Sequence, residues 1–252
     1  MQPSLQLNPQ QDQLFDSNHY PVPFEFDSQV AHVFDDMAVR SIPLYAQVMH
    51  NTVEWVQRSC SNHARIYDLG CSTGTLIRAL VDQVSFPLEL IGVDNSEHML
   101  AQAQQKLSGT PNIQWIAADL LQIPLEPCSA VIMNYTLQFL SEERRALLLK
   151  RIFTALKPGG IFLYSEKTLS SNATIQHTMT DIYHKFKHQN GYSKNEIERK
   201  KEALEKVLIP WSTQKHLQEL TCAGFLEKNC DIALKWNAFT TFIAKKPEGL
   251  PC

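Results

Sequence analysis

The sequence lacks a long apolar run and a basic N-terminal region. Its first lysine or arginine is Arg40, and no stretch approaches the roughly 20 apolar residues that a membrane-spanning helix needs. A secretory leader and a membrane anchor are therefore not expected. At 44% hydrophobic and 19% charged residues the composition is that of a globular protein, which we expect to be cytoplasmic.

Closely spaced cysteines and an excess of positive charge are also missing. The six cysteines show neither C-x-x-C nor zinc-ligand spacing, and no His, Asp or Glu pattern indicates a metal. We expect reduced thiols and no metal site. The net charge of −3 argues against a broad nucleic-acid footprint, which normally needs clustered lysine and arginine. Direct binding to nucleic acid is therefore not expected.

The strongest signal is residues 66–75, which read Ile-Tyr-Asp-Leu-Gly-Cys-Ser-Thr-Gly-Thr. An apolar run that ends in a carboxylate and two glycines is typical of a buried parallel strand turning into a helix. The dinucleotide fingerprint G-x-G-x-x-G would need glycine at Ser72 and Thr75. Gly70 and Gly74 stand four apart instead, which favours a nucleoside cofactor without phosphate, such as S-adenosylmethionine.

A second apolar run, Ile-Gly-Val-Asp-Asn at 91–95, ends near Asp94. Its distance from the glycine turn is close to the ~20-residue offset at which α/β folds place an acid on a ribose diol. We expect Asp94 to accept hydrogen bonds from both ribose hydroxyls. The alternative is an ordinary helix N-cap.

Strands and helices alternate through the middle of the chain, which predicts a doubly wound, Rossmann-like α/β fold. The expected sheet is mostly parallel and seven-stranded, with an antiparallel hairpin at the end of the chain. The predicted helix 141–156 is expected to stop sharply at Lys157-Pro-Gly-Gly160. The predicted strands are 65–69, 89–93, 113–117, 130–134, 161–166, 227–234 and 239–245.

The flanking segments follow other patterns. Residues 1–23 are rich in Gln and Pro and are expected to be flexible, and 248–252 form a tail. A single cofactor-binding domain spans 24–247, with a helical cap at 24–58 that Pro43 interrupts. Residues 171–209 read as two helices, the second starting at the capping box Ser193–Glu196. This insert is expected to be a lid over the sheet edge, or alternatively a decorative helical pair.

Several longer blocks resemble carboxy-S-adenosyl-L-methionine synthases, a family with the class I S-adenosylmethionine-dependent methyltransferase fold. The blocks lie outside the shared cofactor motifs as well as within them, which makes the resemblance specific. They are Phe26-Asp27, Val33-Phe34-x-Asp36-Met37, Arg40-Ser41-x-Pro43-x-Tyr45, Tyr67-Asp-Leu-Gly-Cys-Ser72, Asp94-Asn95-Ser96, Asn134-x-Thr-Leu-Gln-Phe-Leu140, Ser165-Glu166-Lys167 and Asn190-Gly191-Tyr192-Ser193.

The resemblance implies a reaction in which no acceptor is methylated. Prephenate supplies carbon dioxide, the sulfonium methyl group of S-adenosylmethionine loses a proton, and the resulting ylide captures the carbon dioxide. The products are carboxy-S-adenosylmethionine and phenylpyruvate. A partner enzyme uses the first product to modify the wobble uridine of tRNA, and the family enzyme is a homodimer.

The resemblance also implies a set of cofactor-binding residues. Asp119 with Leu120 is expected at adenine, and Asn134 at the amino-acid end of the cofactor. Asp119 could instead belong to a surface loop, and Tyr45 could be a half-buried core residue. The full set is Tyr45, Gly70, Cys71, Ser72, Asp94, Asn95, Asp119, Leu120, Asn134 and Lys201.

Lys201 departs from the family pattern. The resemblance implies an arginine there, which reaches from the second subunit to the added carboxyl group. Lysine keeps the charge but loses the planar, bidentate fork. Arg199 would point about 200° away on a helix and cannot substitute. Lys201 either binds the carboxylate as a point charge, or substrate preference has changed, or the run 199–201 is simply a solvated face.

Three functions remain open from the sequence. The first is the carboxy-S-adenosylmethionine synthase, with no general base identified in the protein. The second is a conventional methyltransferase acting on a small molecule or RNA. The third is a non-catalytic module that stores or delivers the cofactor.

Overall fold

The computed structural model describes residues 11–16 and 23–249. A central sheet of eight strands carries the fold, and seven of them follow one path. The strands are β1 Ala64–Leu69, β2 Leu88–Asp94, β3 Ile113–Ala117, β4 Cys128–Asn134, β5 Leu156–Leu169, β6 Trp211–Ser212, β7 Cys230–Trp236 and β8 Phe239–Lys245. The path is β3-β2-β1-β4-β5-β8-β7, and β6 pairs with β5 outside it.

Eight α-helices occur in the described part of the chain. They are α1 Ser28–Ser41, α2 Tyr45–Ser59, α3 Thr75–Gln83, α4 Glu97–Lys106, α5 Glu142–Ala155, α6 Ala173–Gln189, α7 Lys194–Leu204 and α8 Thr213–Ala223. None of the helices in these ranges is long and apolar enough to cross a membrane.

The sheet confirms the predicted fold class. Strands β1 to β5 pair in parallel, and their residues are mostly buried because helices cover both faces. The last two strands pair antiparallel with each other, and β8 pairs antiparallel with β5. The two-residue strand β6 was not predicted, since a pair of residues carries no readable period.

The helix before 157–160 ends as predicted, but residues 157–160 belong to the following strand, which was expected to begin at 161. Helix α5 stops at Ala155, and β5 begins at the next residue and runs through both glycines. Its register with β4 shifts between Cys128 and Ala130, and Gly159 takes a φ of +78°. The glycines therefore serve as a bulge inside a long strand, because they permit a distortion that other residues resist.

The cap and the insert form as helices with identifiable ends. Helix α1 starts at Ser28, later than expected, because the Asp27 side chain accepts a hydrogen bond from the Val30 amide. The break at Pro43 separates α1 from α2 as predicted. In α7 the capping box forms in both directions between Ser193 and Glu196. This helix ends at Leu204, before Pro210.

Residues 11–16 lie within the segment expected to be flexible, yet they form a packed turn. Asp12 and Phe15 are each about 1% exposed. The Tyr192 hydroxyl donates to Asp12 Oδ2 at 2.5 Å, and the Asp12 amide donates to Asp36 Oδ2 at 2.7 Å. The turn thus joins the start of the insert's second helix to α1. The remainder of 1–23 and the end of the tail lie outside the described residues, apart from Pro23.

Arg145 fastens the end of the insert to the core. Its side chain is 1% exposed and lies over the Trp211 ring. It donates to three backbone carbonyls, those of Leu140, Gln138 and Ile209, at 2.8, 3.0 and 2.6 Å. One buried cation therefore orders both the loop after β4 and the chain that returns from the insert.

Replacing Arg145 with leucine should lower the free energy of unfolding by about 3 kcal/mol, because three buried carbonyls lose their donor. Urea denaturation followed by circular dichroism measures the change. Lys150→Leu is the matched control, since Lys150 lies exposed on the same helix. A loss no larger than that of the control would contradict the role given to Arg145.

Candidate cofactor and substrate site

A cavity of about 1050 Å³ opens at the carboxyl ends of the parallel strands, between the sheet, the helical cap and the insert. Ligands of open α/β sheets bind at this edge. All ten residues predicted for the cofactor site line the cavity: Tyr45, Gly70, Cys71, Ser72, Asp94, Asn95, Asp119, Leu120, Asn134 and Lys201. The insert also contributes to its wall.

In the turn after β1, position 70 suits only glycine. Gly70 has a φ of +81°, and a Cβ there would collide with the Thr136 side chain. The amides of Gly70 and Cys71 both donate to the Val93 carbonyl, at 2.8 and 3.0 Å. The turn is thereby fixed against the end of β2. Neither the contact with Thr136 nor the bond to Val93 could be read from the motif.

Asp94 holds the turns after β1 and β2 together. Its Oδ2 accepts from the Ser72 amide and its Oδ1 from the Ser96 amide, each at 2.9 Å. Burial raises the pKa of Asp94, and these amides oppose that rise. The N-cap of α4 is Ser96, whose side chain accepts from Met99 N, so Asp94 is not the cap. Asp94 is one of the residues that line the cavity.

Two residues of the cavity wall, Asp68 and Asn134, have buried polar atoms without partners. Asp68 Oδ2 and both amide atoms of Asn134 have no hydrogen bond within the described chain, although all three atoms are buried. Burial, with the nearby charge of Asp94, raises the pKa of Asp68 to about 8. Buried polar atoms are normally paired. This pair of groups suits a zwitterionic amino acid, which offers an ammonium and a carboxylate.

Asp119 is already engaged by the protein. Arg144 Nη2 donates to both of its carboxylate oxygens, at 2.7 and 2.5 Å, and the Leu121 amide donates to Oδ1 at 2.8 Å. These bonds, the amide first, lower the pKa of Asp119. Asp119 and Leu120 line the cavity, with a fixed carboxylate orientation. The ion pair with Arg144 was not predicted.

Cys71 and Tyr45 are both held in their neutral forms. Burial raises the pKa of each, and the carboxylates of Asp68 and Asp94 add to the effect at Cys71. A protonated, buried thiol is a poor nucleophile. Of the six cysteines, the five in the described ranges are free thiols. Within those ranges no group of three His, Cys, Asp or Glu could hold a metal.

Lys201 and Arg199 point in different directions, as the helical spacing predicts. Lys201 lies on the cavity wall of its own chain, 60% exposed, and pairs with Glu198 at 3.0 Å. Arg199 donates to the carbonyls of Phe15 and Asp16 at 2.9 and 2.8 Å. Arg199 therefore binds the N-terminal turn and is not available to a ligand in the cavity.

One wall of the cavity was not predicted from the sequence. Tyr135, Lys167, Tyr183, Lys187 and Phe239 all line it. The Phe239 ring lies 6.3 Å from that of Tyr135 and 4.9 Å from that of Tyr183. Only Lys167 carried a signal in the sequence, because it directly follows Ser165-Glu166 at the end of a predicted strand. The other residues reach the cavity through tertiary packing.

Comparisons with known proteins agree with this architecture. A methyltransferase domain model matches residues 66–160. Among solved structures, a putative S-adenosylmethionine-dependent methyltransferase from Methanococcus maripaludis is 19% identical, with a TM-score of 0.59 over 91% of this chain and 98% of that one. Human N-acetylserotonin methyltransferase is 16% identical, with a TM-score of 0.59 over 87% of this chain and 55% of that one. These structures show the fold.

The family is shown by relatives of higher identity. The carboxy-S-adenosyl-L-methionine synthase of Trichodesmium erythraeum is 41% identical over 98% of both chains. That of Nautilia profundicola is 42% identical over 88% of this chain and 94% of its own. With the methyltransferase fold and a cavity at the cofactor edge of the sheet, this chain belongs to the carboxy-S-adenosyl-L-methionine synthase family of transferases.

Proposed function

We propose that the protein converts S-adenosylmethionine and prephenate into carboxy-S-adenosylmethionine and phenylpyruvate. One observation carries the proposal: in a chain of this family, all ten predicted residues line the same cavity. The product then serves the modification of the wobble uridine of tRNA by a partner enzyme. This chain itself does not contact RNA in the proposed pathway.

The cavity residues fit S-adenosylmethionine in three parts. Asp94 takes the ribose hydroxyls, Asp119 with Leu120 borders adenine, and Asn134 takes the amino-acid end. The unpaired atoms of Asn134 and Asp68 support the last assignment. When bound, S-adenosylmethionine supplies a methyl group that its sulfonium makes acidic and that receives the carboxyl group.

The proposed reaction needs no base from the protein. Loss of the ring carboxylate and the hydroxyl group turns prephenate into phenylpyruvate, carbon dioxide and hydroxide. Hydroxide takes one methyl proton and becomes water, and the methyl carbon gains the carboxyl group. The protein's part is to hold both substrates and exclude bulk water. Tyr135 and Tyr183 suit such a wall, because burial raises the pKa of each and keeps them neutral.

Purified protein with S-adenosylmethionine and prephenate tests the function. Mass spectrometry should show a cofactor heavier by one carboxyl group, together with phenylpyruvate. Formation of S-adenosylhomocysteine and a methylated acceptor would instead indicate a conventional methyltransferase. Tight cofactor binding without turnover at any prephenate concentration would indicate a storage or delivery module. Either result contradicts the proposal.

Asp94→Asn should weaken S-adenosylmethionine binding about 100-fold. The NH2 group of the asparagine would face a backbone N–H donor, and the negative charge that attracts the ribose hydroxyls would be lost. Isothermal titration calorimetry measures the dissociation constant. Asp82→Asn is the control, since Asp82 is an exposed acid on α3. Affinity equal to that of the control would remove Asp94 from the cofactor site.

Lys201→Ala should weaken binding of carboxy-S-adenosylmethionine about tenfold and that of S-adenosylmethionine much less, because only the former carries the added carboxylate. Calorimetry on both ligands gives the ratio, with Lys194→Ala, an exposed lysine of α7, as the control. Equal weakening of both ligands would mean that the carboxyl pocket lies elsewhere. We further propose that the protein is a homodimer, and analytical ultracentrifugation should give a mass of two chains.

A further inference from the structure

Two lysines on the cavity wall have no acidic partner. Lys167 lies near the end of β5, opposite Phe239 in the register with β8, and Lys187 lies in the last turn of α6. Within residues 11–16 and 23–249, neither ammonium group has a hydrogen bond or a carboxylate at ion-pair distance. Both side chains border the cavity.

The other cations of the cavity wall are paired, which sets these two apart. Arg144 pairs with Asp119 at 2.5 Å, Lys201 with Glu198 at 3.0 Å, and Lys200 with Asp12 at 3.7 Å. Lys200 also donates to Ser41 Oγ at 3.0 Å. Lys167 and Lys187 therefore supply the uncompensated positive charge of the cavity.

Both ammonium groups lie near the same aromatic ring. Lys167 Nζ lies 5.1 Å and Lys187 Nζ 4.7 Å from the centre of the Tyr183 ring. The ring is fixed, since the Tyr183 hydroxyl donates to the Ser41 carbonyl at 2.9 Å. Lys187 as a whole is only 5% exposed. An ammonium this deeply buried costs free energy, and a ring face compensates only part of it. An anion in the cavity would compensate the remainder.

We propose that Lys167 and Lys187 bind the carboxylates of the substrate that donates the carboxyl group, an inference that rests on the function proposed above. The ligand class is a dicarboxylate built on a six-membered carbon ring. Two ammonium groups match its two charges, and the rings of Tyr135, Tyr183 and Phe239 offer apolar surface beside them. Neither lysine belongs to the residues assigned to the cofactor.

The position along the sheet separates this subsite from the amino-acid end of the cofactor. Asn134 is paired with Ser165 across β4 and β5. Lys167 follows Ser165 by two residues, which carries it roughly 7 Å further toward the open edge. Asp68 lies on β1, beyond β4, on the other side of Asn134. The two lysines therefore face the part of the cavity farther from the acidic strand ends.

The test uses the complex with S-adenosylhomocysteine, which has no methyl group to react, titrated with prephenate in a calorimeter. Lys187→Met and Lys167→Met should each weaken prephenate binding about tenfold or more, because each removes a charge-assisted contact. Binding of S-adenosylhomocysteine should stay unchanged. Lys185→Met, an exposed lysine on the same helix, is the matched control and should bind prephenate like the wild type. Thermal unfolding verifies that each variant is folded.

The outcomes separate this inference from the proposed function. Prephenate binding that is absent from the wild-type complex, or equal in all variants, overturns the subsite. Equal loss of S-adenosylhomocysteine affinity also overturns it, because the lysines would then serve the cofactor's own carboxylate. If wild-type protein binds prephenate through Lys187 but forms no carboxy-S-adenosylmethionine, the subsite stands and the proposed function fails.

The pH dependence gives a second readout. Burial, with the neighbouring ammonium groups of Lys200 and Lys167, lowers the pKa of Lys187 to about 7, and Glu198 opposes the shift. Lys201 acts in the same direction as Lys200. Prephenate affinity should therefore be full below pH 7 and fall as Lys187 loses its proton above it.

Other groups facing Lys187 also titrate, so the variant is needed as a reference. Burial lowers the pKa of Lys167 and of His184, and lowers that of Lys200 to about 8. In Lys187→Met the loss of affinity that begins near pH 7 should disappear, leaving only later changes. An identical pH profile in wild type and variant would contradict the assignment to Lys187.

Discussion

The Asp94 carboxylate is the constraint on which the site depends. It accepts one backbone amide from the turn after β1 and one from the turn after β2, so both turns are fixed relative to a single buried charge. Two further bonds attach the cap to these turns: Ser96 Oγ donates to the Phe26 carbonyl, and Thr73 Oγ1 donates to Asp35. Burying this acid costs free energy that two amide donors offset only in part. A ligand that completes the hydrogen bonding of Asp94 would offset the rest of this cost.

Much of the sheet edge could be predicted because strand ends are readable in a sequence. Asp94 and Asn134 each close an apolar run, and parallel strands bring such ends together. Lys187 could not be found this way. It sits in a polar helix of the insert, where its spacing resembles that of exposed lysines, and it is buried only in the folded structure, beside Tyr183. The course of β5 through 157–160 was likewise unpredictable, because the same glycines suit either a stop or a bulge.

Contacts with the N-terminal turn determine which cations of α7 remain available to a ligand in the cavity. Arg199 binds the carbonyls of Phe15 and Asp16, and Lys200 is buried beside Asp12. Both cations thus hold the turn and the insert together, which leaves Lys201 as the cation of the run 199–201 that is exposed toward the cavity. The position at which the resemblance implies an arginine is therefore the one of these three whose side chain lines the cavity and, among the described residues, makes no hydrogen bond or ion pair with the N-terminal turn.

The acidic and basic residues of the cavity wall lie on different sides of the cavity. Asp68, Asp94 and Asp119 lie at the ends of β1, β2 and just after β3, whereas Lys167 and Lys187 lie at β5 and α6. Burial, together with repulsion from Asp94, raises the pKa of Asp68 to about 8, and a cationic ligand would relieve the repulsion. The acidic side therefore favours a sulfonium cofactor and the basic side an anion. An uncharged methyl acceptor beside the cofactor would leave the basic half unused, whereas a sulfonium cofactor together with the proposed dicarboxylate donor would use both halves.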